Sequence, residues 1–246
     1  MSTSADQFSR TARAYLASDV HARGKDLLAL VELARAEGAD LAVDVGANVG
    51  HTLRAVAPHV RRAVGTDVAL AALGLGRGAT SAPNAHFAAA DAAALPLGDG
   101  AAGLVTCRLA AHHFRDRALA LGEMARVLAP GGLLLLADNY APDDRGADRF
   151  INALEAARDP THERAETIDG WLALARGAGL EPRVAGTWTA RLVTEEWLDR
   201  AQTPPAAAER VRRMLAEAPA PIRATFGIDE RSFLVLKVLV AARKPA

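Results

Sequence analysis

The stretch Leu41-Ala-Val-Asp-Val-Gly-Ala-Asn-Val-Gly-His-Thr52 decides the fold. It reads as a short apolar strand that runs into a turn of small residues and then a helix start. Such a turn lets backbone pass close to a ligand without Cβ clashes. Its amides then favour negative charge, such as a carboxylate. Asp67 follows at the end of a second apolar run (Ala63-Val64-Gly65-Thr66), and Asp91 near the end of a third. A carboxylate at the tip of the second strand can accept two ribose hydroxyl hydrogen bonds, and one a strand further on can accept from an adenine amino group. Together these features imply an adenosine-bearing ligand with a carboxylate, lying across the carboxyl ends of a parallel sheet. The plainer alternatives are a helix N-cap for Asp67 and a solvated loop residue for Asp91.

Outward from this stretch, strands and helices alternate, which predicts an α/β fold with a doubly wound parallel sheet. Residues 5–37 read as helical, with a core-facing stripe at Leu27, Leu28, Leu30, Val31 and Leu33. Strands are expected at 41–46, 62–67, near 86–90, at 103–108 and at 133–138. A helix over 116–128 ends at Pro130-Gly131-Gly132, a stop and turn signal. The central strands are nearly continuous apolar runs, as strands covered on both faces should be. Residues 139–166 break the alternation and read as an insertion over the carboxyl edge, with a helix around 145–157. Helices near 167–178, 194–201 and 206–217 and strands near 182–192 and 232–241 complete the chain. No internal repeat is visible.

Composition bounds the function. The 246 residues suit one α/β domain with a small cap, residues 1–37, and the insertion. Basic and acidic residues balance at 29 each, so no electrostatic footprint for nucleic acid is present. The single Cys107 excludes an intramolecular disulfide and fits a cytoplasmic protein. The polar start Met1-Ser-Thr-Ser carries no signal-peptide core, and no run of eighteen uncharged apolar residues predicts a membrane span.

The motif series resembles the class I S-adenosylmethionine-dependent methyltransferases. Their acidic-x-Gly-x-Gly-x-Gly pattern is matched at Asp44, Gly46 and Gly50, with Asn48 in the middle glycine slot. A nicotinamide fingerprint would need glycines at 46, 48 and 51, where the chain has Gly46, Asn48 and His51. Asp91-Ala-Ala-Ala-Leu-Pro96 and Glu123-Met-Ala-Arg-Val-Leu-Ala-Pro-Gly-Gly132 look specifically like the UbiE type, the ubiquinone/menaquinone C-methyltransferase group and its small-molecule relatives. Cys107-Arg-Leu-Ala-Ala-His-His-Phe114, Asp138-Asn-Tyr-Ala-Pro142 and Arg158-Asp-Pro-Thr-His162 narrow the resemblance to a bacterial branch of that type, in which Phe8, Tyr15 and His21 fall on a cap helix. Ala102-Gly103 departs from the group's usual Phe-Asp before the fourth strand.

The resemblance implies a Rossmann-like seven-stranded sheet whose last strand inserts antiparallel, and S-adenosylmethionine as the donor, with S-adenosylhomocysteine as product. It implies a cofactor set of Asp44, Gly46, Ala47, Asn48, Gly50, Thr52, Asp67, Val68, Asp91, Ala92, Cys107 and Arg108. Acceptor candidates are Tyr15, His21, Tyr140, Arg158 and His162, and the partner is a small organic acceptor. His112 and His113 are the catalytic candidates, because imidazole is the natural base near neutral pH. Adjacent residues should not share a face, so at most one of the pair is expected at the acceptor. Packing or a helix-start hydrogen bond is the plainer reading for both, and an Arg158–Asp159 ion pair for the insertion. No ligand spacing supports a metal. A non-catalytic module that binds the donor or its demethylated product is the competing function, motivated by Asn48 and Ala102-Gly103.

Overall fold

The structure, a computed structural model, describes residues 3–246; the polar start at Met1-Ser2 lies outside them. The helical stretch read as 5–37 is three helices: α1 (Ser4–Leu16), α2 (Asp19–Arg23) and α3 (Lys25–Glu37). The chain turns at Ser18 and Gly24, which sit extended as N-caps of α2 and α3. A capping box between Thr3 and Asp6 starts α1.

The β/α unit then begins: β1 (Leu41–Val45), α4 (His51–Val56), β2 (Arg62–Asp67), α5 (Leu70–Gly78), β3 (Ala85–Ala89), β4 (Ala102–Arg108), α6 (Arg117–Val127) and β5 (Leu128–Asn139). After it come α7 (Arg145–Arg158), α8 (Ile168–Gly177), β6 (Glu181–Val193), α9 (Thr194–Arg200), α10 (Pro205–Ala216), α11 (Ala220–Thr225) and β7 (Ser232–Arg243). The sheet order is β3-β2-β1-β4-β5-β7-β6, with β7 antiparallel to both β5 and β6. This is the seven-stranded sheet with an antiparallel last strand that the resemblance implied.

Strand β5 shows why its sequence is a continuous apolar run. Leu134 and Leu136 pack on one face with Leu121 and Met124 of α6 and Trp171 of α8. Leu133, Leu135 and Ala137 pack on the other, with Leu30 and Ala34 of α3. Both faces are covered, so no polar alternation is possible. The strand begins five residues earlier than predicted. Pro130-Gly131-Gly132 is absorbed as an irregular strand entry, with Gly131 at φ +75° and a register shift opposite Ala102 and Leu104. Ala102-Gly103 therefore still enters the sheet despite lacking Phe-Asp.

A separate apolar cluster lies beyond the carboxyl edge. Ile151 and Leu154 of α7, Trp197 of α9, Val211 of α10 and Phe226 pack against Phe233 and Val235 at the start of β7. This cluster and α1 together roof the edge of the sheet where β1, β2 and β4 end. No helix among the described residues is long and apolar enough to cross a membrane.

Candidate active site

One cavity of about 600 Å³ opens at the carboxyl ends of the central strands. Reversal of strand order between β1 and β4 makes this the crevice in which open α/β sheets bind ligands. Its floor is the turn after β1. Gly46 has φ +72° and Gly50 φ +79°. A Cβ on Gly46 would stand 2.4 Å from the Cβ of Ala110, so the position excludes any side chain. Asn48 lies between them at φ +49°, a region that Asn tolerates better than most residues. Its amide donates to Asp67 Oδ2 at 2.8 Å, which ties the turn to the tip of β2. Asn48→Gly should thus leave thermal stability within about 1 kcal/mol, whereas Asn48→Leu should cost about 1–2 kcal/mol for the left-handed backbone; melting curves of the two check this.

Asp67 is nearly buried and lines the cavity. Burial raises its pKa, and the amides of Ala69 and Asn48 partly offset that. Each of its oxygens takes one of those N–H groups, leaving further lone pairs. Val68, Asp91 and Ala92 line the same end. The Asp91 loop is clamped from behind: Glu123 accepts from the Leu95 amide, and Arg126 donates to the Leu95 and Leu97 carbonyls. The two sequence motifs are thus halves of one support. Asp44 lies beneath the turn rather than in the cavity. Burial pushes its carboxyl up to about 7, and Thr106 donates to Oδ1 at 2.8 Å.

Where β4 ends, Leu109 takes φ +53°, strain that a bulky residue holds only where its surroundings enforce it. A single 3-10 turn, Ala111–His113, follows. Here the structure corrects the sequence reading. Both His112 and His113 line the cavity, with ring centroids 4.1 Å apart. Neighbours in a tight turn are not held to the alternation of a strand. The two rings are chemically distinct. His112 Nδ1 donates to Asp138 Oδ1 at 2.5 Å, and the His112 amide donates to Oδ2 of the same carboxylate. Burial opposes protonation of His112, but Asp138, with Glu155 and Asp159, outweighs it and sets the pKa above the usual imidazole value. His113 Nδ1 donates to the Thr161 carbonyl. Burial and the neighbouring His112 push its pKa far down. His112 is therefore a carboxylate-oriented imidazole, and His113 a neutral one. In sequence Asp138 stands out only within the Asp138–Pro142 motif; its pairing with a histidine 26 residues away has no local signature.

Other candidates divide. Tyr15, His21, Thr52, Arg108 and Arg158 line the cavity with Ala47. Gly50 and Cys107 lie outside the lining, and burial holds the Cys107 thiol neutral. His162 stands behind the other histidines, 5.6 Å from His112, with Nε2 donating to Asn152. Tyr140 belongs elsewhere. It follows β5 and lines a second, smaller pocket with Lys25 and Trp188. Side chains alternate along a strand, so Asn139, its neighbour, faces the cavity in its place. Arg158 does not pair with Asp159. It stands over the Trp197 ring at 4.6 Å, donates to the Trp197 carbonyl and lies 3.6 Å from Glu155.

Sequence reasoning also missed a polar cluster at one wall. Asp26 on α3 accepts from Arg108 Nε at 2.7 Å and from Lys237 Nζ of β7 at 3.2 Å, all three buried. Lys237 is a lone lysine in an apolar strand, and that anomaly was the available signal.

Comparison with known proteins decides the family. Residues 43–136 match the family model described as a methyltransferase domain. The chain is 32% identical over 229 residues to an uncharacterized methyltransferase, YcgJ, of Bacillus subtilis, covering 92% of this chain and 90% of that protein. This chain belongs to the S-adenosylmethionine-dependent methyltransferases. The crystal structure of YcgJ superposes with a TM-score of 0.86 at 30% identity, covering 90% of this chain and 98% of that one. A demethylmenaquinone methyltransferase of Thermus thermophilus is 36% identical over 126 residues, 51% of this methyltransferase and 48% of the relative.

Proposed function

We propose that this enzyme methylates a small organic acceptor by in-line displacement, with the donor and the acceptor held at opposite ends of the single cavity. The observation that carries this reading is that one cavity joins the Gly46 turn and Asp67 to the Asp138-oriented His112. The residues fit S-adenosylmethionine. The approach at Gly46 admits no Cβ, Asp67 keeps free lone pairs, and Asn48 Oδ1 is buried without a partner. Gly46, Ala47, Asn48 and Thr52 would flank its methionine part above Asp44, with Gly50 shaping the turn behind them. Asp67 would take the ribose, Val68 the adenine face, and Asp91 with the Ala92 backbone the adenine edge. The backbone at Arg108 would meet its amino end. Bound there, the donor supplies an electrophilic methyl on a sulfonium and leaves as S-adenosylhomocysteine.

The chain's own contribution is alignment, water exclusion and one proton transfer. Asp138 holds the Nδ1 proton of His112, so Nε2 carries the lone pair that takes a proton from the acceptor. Helix α1 covers the site. Gln7 donates to the Ala201 carbonyl, and His51 Nε2 donates to the Tyr15 carbonyl. Tyr15, His21 and Arg158 are the acceptor-side walls; His162 acts only through the histidines it packs against. The Asp91–Pro96 and Glu123–Gly132 motifs, with the partial likeness to a demethylmenaquinone methyltransferase, support a place in the UbiE-like branch. The lone thiol, Cys107, supports a cytoplasmic site of action.

Asp67→Ala should weaken S-adenosylhomocysteine binding by about 1–3 kcal/mol, the scale of a hydrogen bond to a charged group. Isothermal titration on the folded variant measures it, and an unchanged affinity rejects the ribose assignment.

A further inference from the structure

We infer that the acceptor is itself a carboxylic acid on an apolar body, and that its carboxylate docks between Lys237 and Arg200. The inference rests on the methyl-transfer reading above and names the substrate class of the same site.

The charge balance of the wall motivates it. Arg108, Lys237, Arg158 and Arg200 all line the cavity, with Glu155 from the same wall. Arg108 and Lys237 share the single carboxylate of Asp26. Arg158 has Glu155. Arg200 has no acidic partner within ion-pair distance among the described residues; its Nη1 reaches Ser18 Oγ only at 3.5 Å. Within ion-pair distance, these four cations have two carboxylates among the described residues. The excess is matched by unused donors: Arg108 Nη2 and Arg200 Nε are buried without partners, and the Lys237 ammonium makes one protein hydrogen bond. Burying cations without counter-charge is costly, so a site built this way favours an anion.

The donor also has a carboxylate, and position separates the two. Lys237 lies on β7, beyond β4 and β5 from β1 in the sheet order. At strand spacings of about 4.8 Å, that is about 14 Å from the strand carrying the glycine turn. The neighbours of Lys237 and Arg200 in the cavity are Leu192, Trp197 and Val235. An apolar body would cover these, while a free phosphate would not use them.

The test uses 3-phenylpropanoate, its amide, and inorganic phosphate, titrated into the enzyme with and without saturating S-adenosylhomocysteine. The acid should bind at least tenfold more tightly than the amide and than phosphate. Lys237→Met and Arg200→Gln should each weaken the acid at least tenfold and leave S-adenosylhomocysteine affinity within twofold. Arg200 is only half-buried, so its variant carries the test if Lys237→Met fails to fold. Equal binding of acid and amide, or no acid binding by millimolar concentration, overturns the inference. Preference for phosphate overturns it in favour of a phosphate ester. Loss of S-adenosylhomocysteine binding in the two variants overturns it by giving the cluster to the donor's carboxylate. Failure of the unaltered enzyme to bind S-adenosylhomocysteine rejects the donor reading instead, and the acid–amide comparison is then read on the protein alone.

Discussion

His112→Ala should lower turnover by about 10²–10⁴-fold, the usual contribution of a positioned general base, and leave S-adenosylhomocysteine affinity unchanged. The Asp138 carboxylate fixes which ring nitrogen carries the proton, so Nε2 is the basic atom. Asp138→Asn should reproduce part of the loss, because an amide can satisfy the ring without stabilising imidazolium. His113→Ala should cost far less. Its Nδ1 is spent on the Thr161 carbonyl, and its pKa is too low for a proton acceptor near neutrality. The pH profile carries the sign. A base works when unprotonated, and the His112 pKa is raised, so the rate should climb with pH through a value above the ordinary imidazole range and fall below it. Donor binding should persist across that range. The measurements are kcat against pH on an acceptor found by product screening, and NMR titration of the His112 ring. Equal, near-parental rates for the two alanine variants would remove the base and leave alignment alone.

Asp26→Ala should destabilise the protein by about 3–5 kcal/mol, the scale for breaking a buried ion pair by removing one partner. It strips two buried cations, Arg108 and Lys237, of the one carboxylate within ion-pair distance of them among the described residues. For a chain of this size that is a fall of about 10 °C in Tm. Burial alone would raise the Asp26 pKa, but Arg108 and Lys237 outweigh it and hold the carboxyl below the usual range. The stability from Asp26 is therefore complete above the ordinary carboxylate pKa and is lost as pH falls through the lower folded value. Asp26→Ala should accordingly melt with less acid sensitivity than the parent as pH falls below the ordinary carboxylate range. Calorimetric scans over pH test both points; an unchanged Tm at neutral pH contradicts the ion-pair account.

Leu133–Ala137 and Leu41–Val45 announced buried parallel strands because covering both faces of a sheet leaves no polar position to interrupt the run. Gly46, Asn48 and Gly50 announced the turn because few residues tolerate positive φ. Both signals are local, carried by neighbours in sequence, and so are the motifs that support Asp91. The acceptor wall had no such signature. Asp26 meets Arg108 from 82 residues away and Lys237 from 211, and no periodicity encodes contacts at those separations. Tyr140 lines a separate pocket while its neighbour Asn139 lines the cavity, a division between adjacent residues that no sequence pattern announces. His112 and His113 were judged by the geometry of regular elements, whereas a tight turn brings both rings to one side. By itself the sequence determined the sheet, the glycine turn and the family, since strand burial and backbone conformation are short-range constraints. Tertiary structure alone decided which imidazole is oriented by Asp138 and which cations lack counter-charge, because those depend on side chains that only the closed fold brings together.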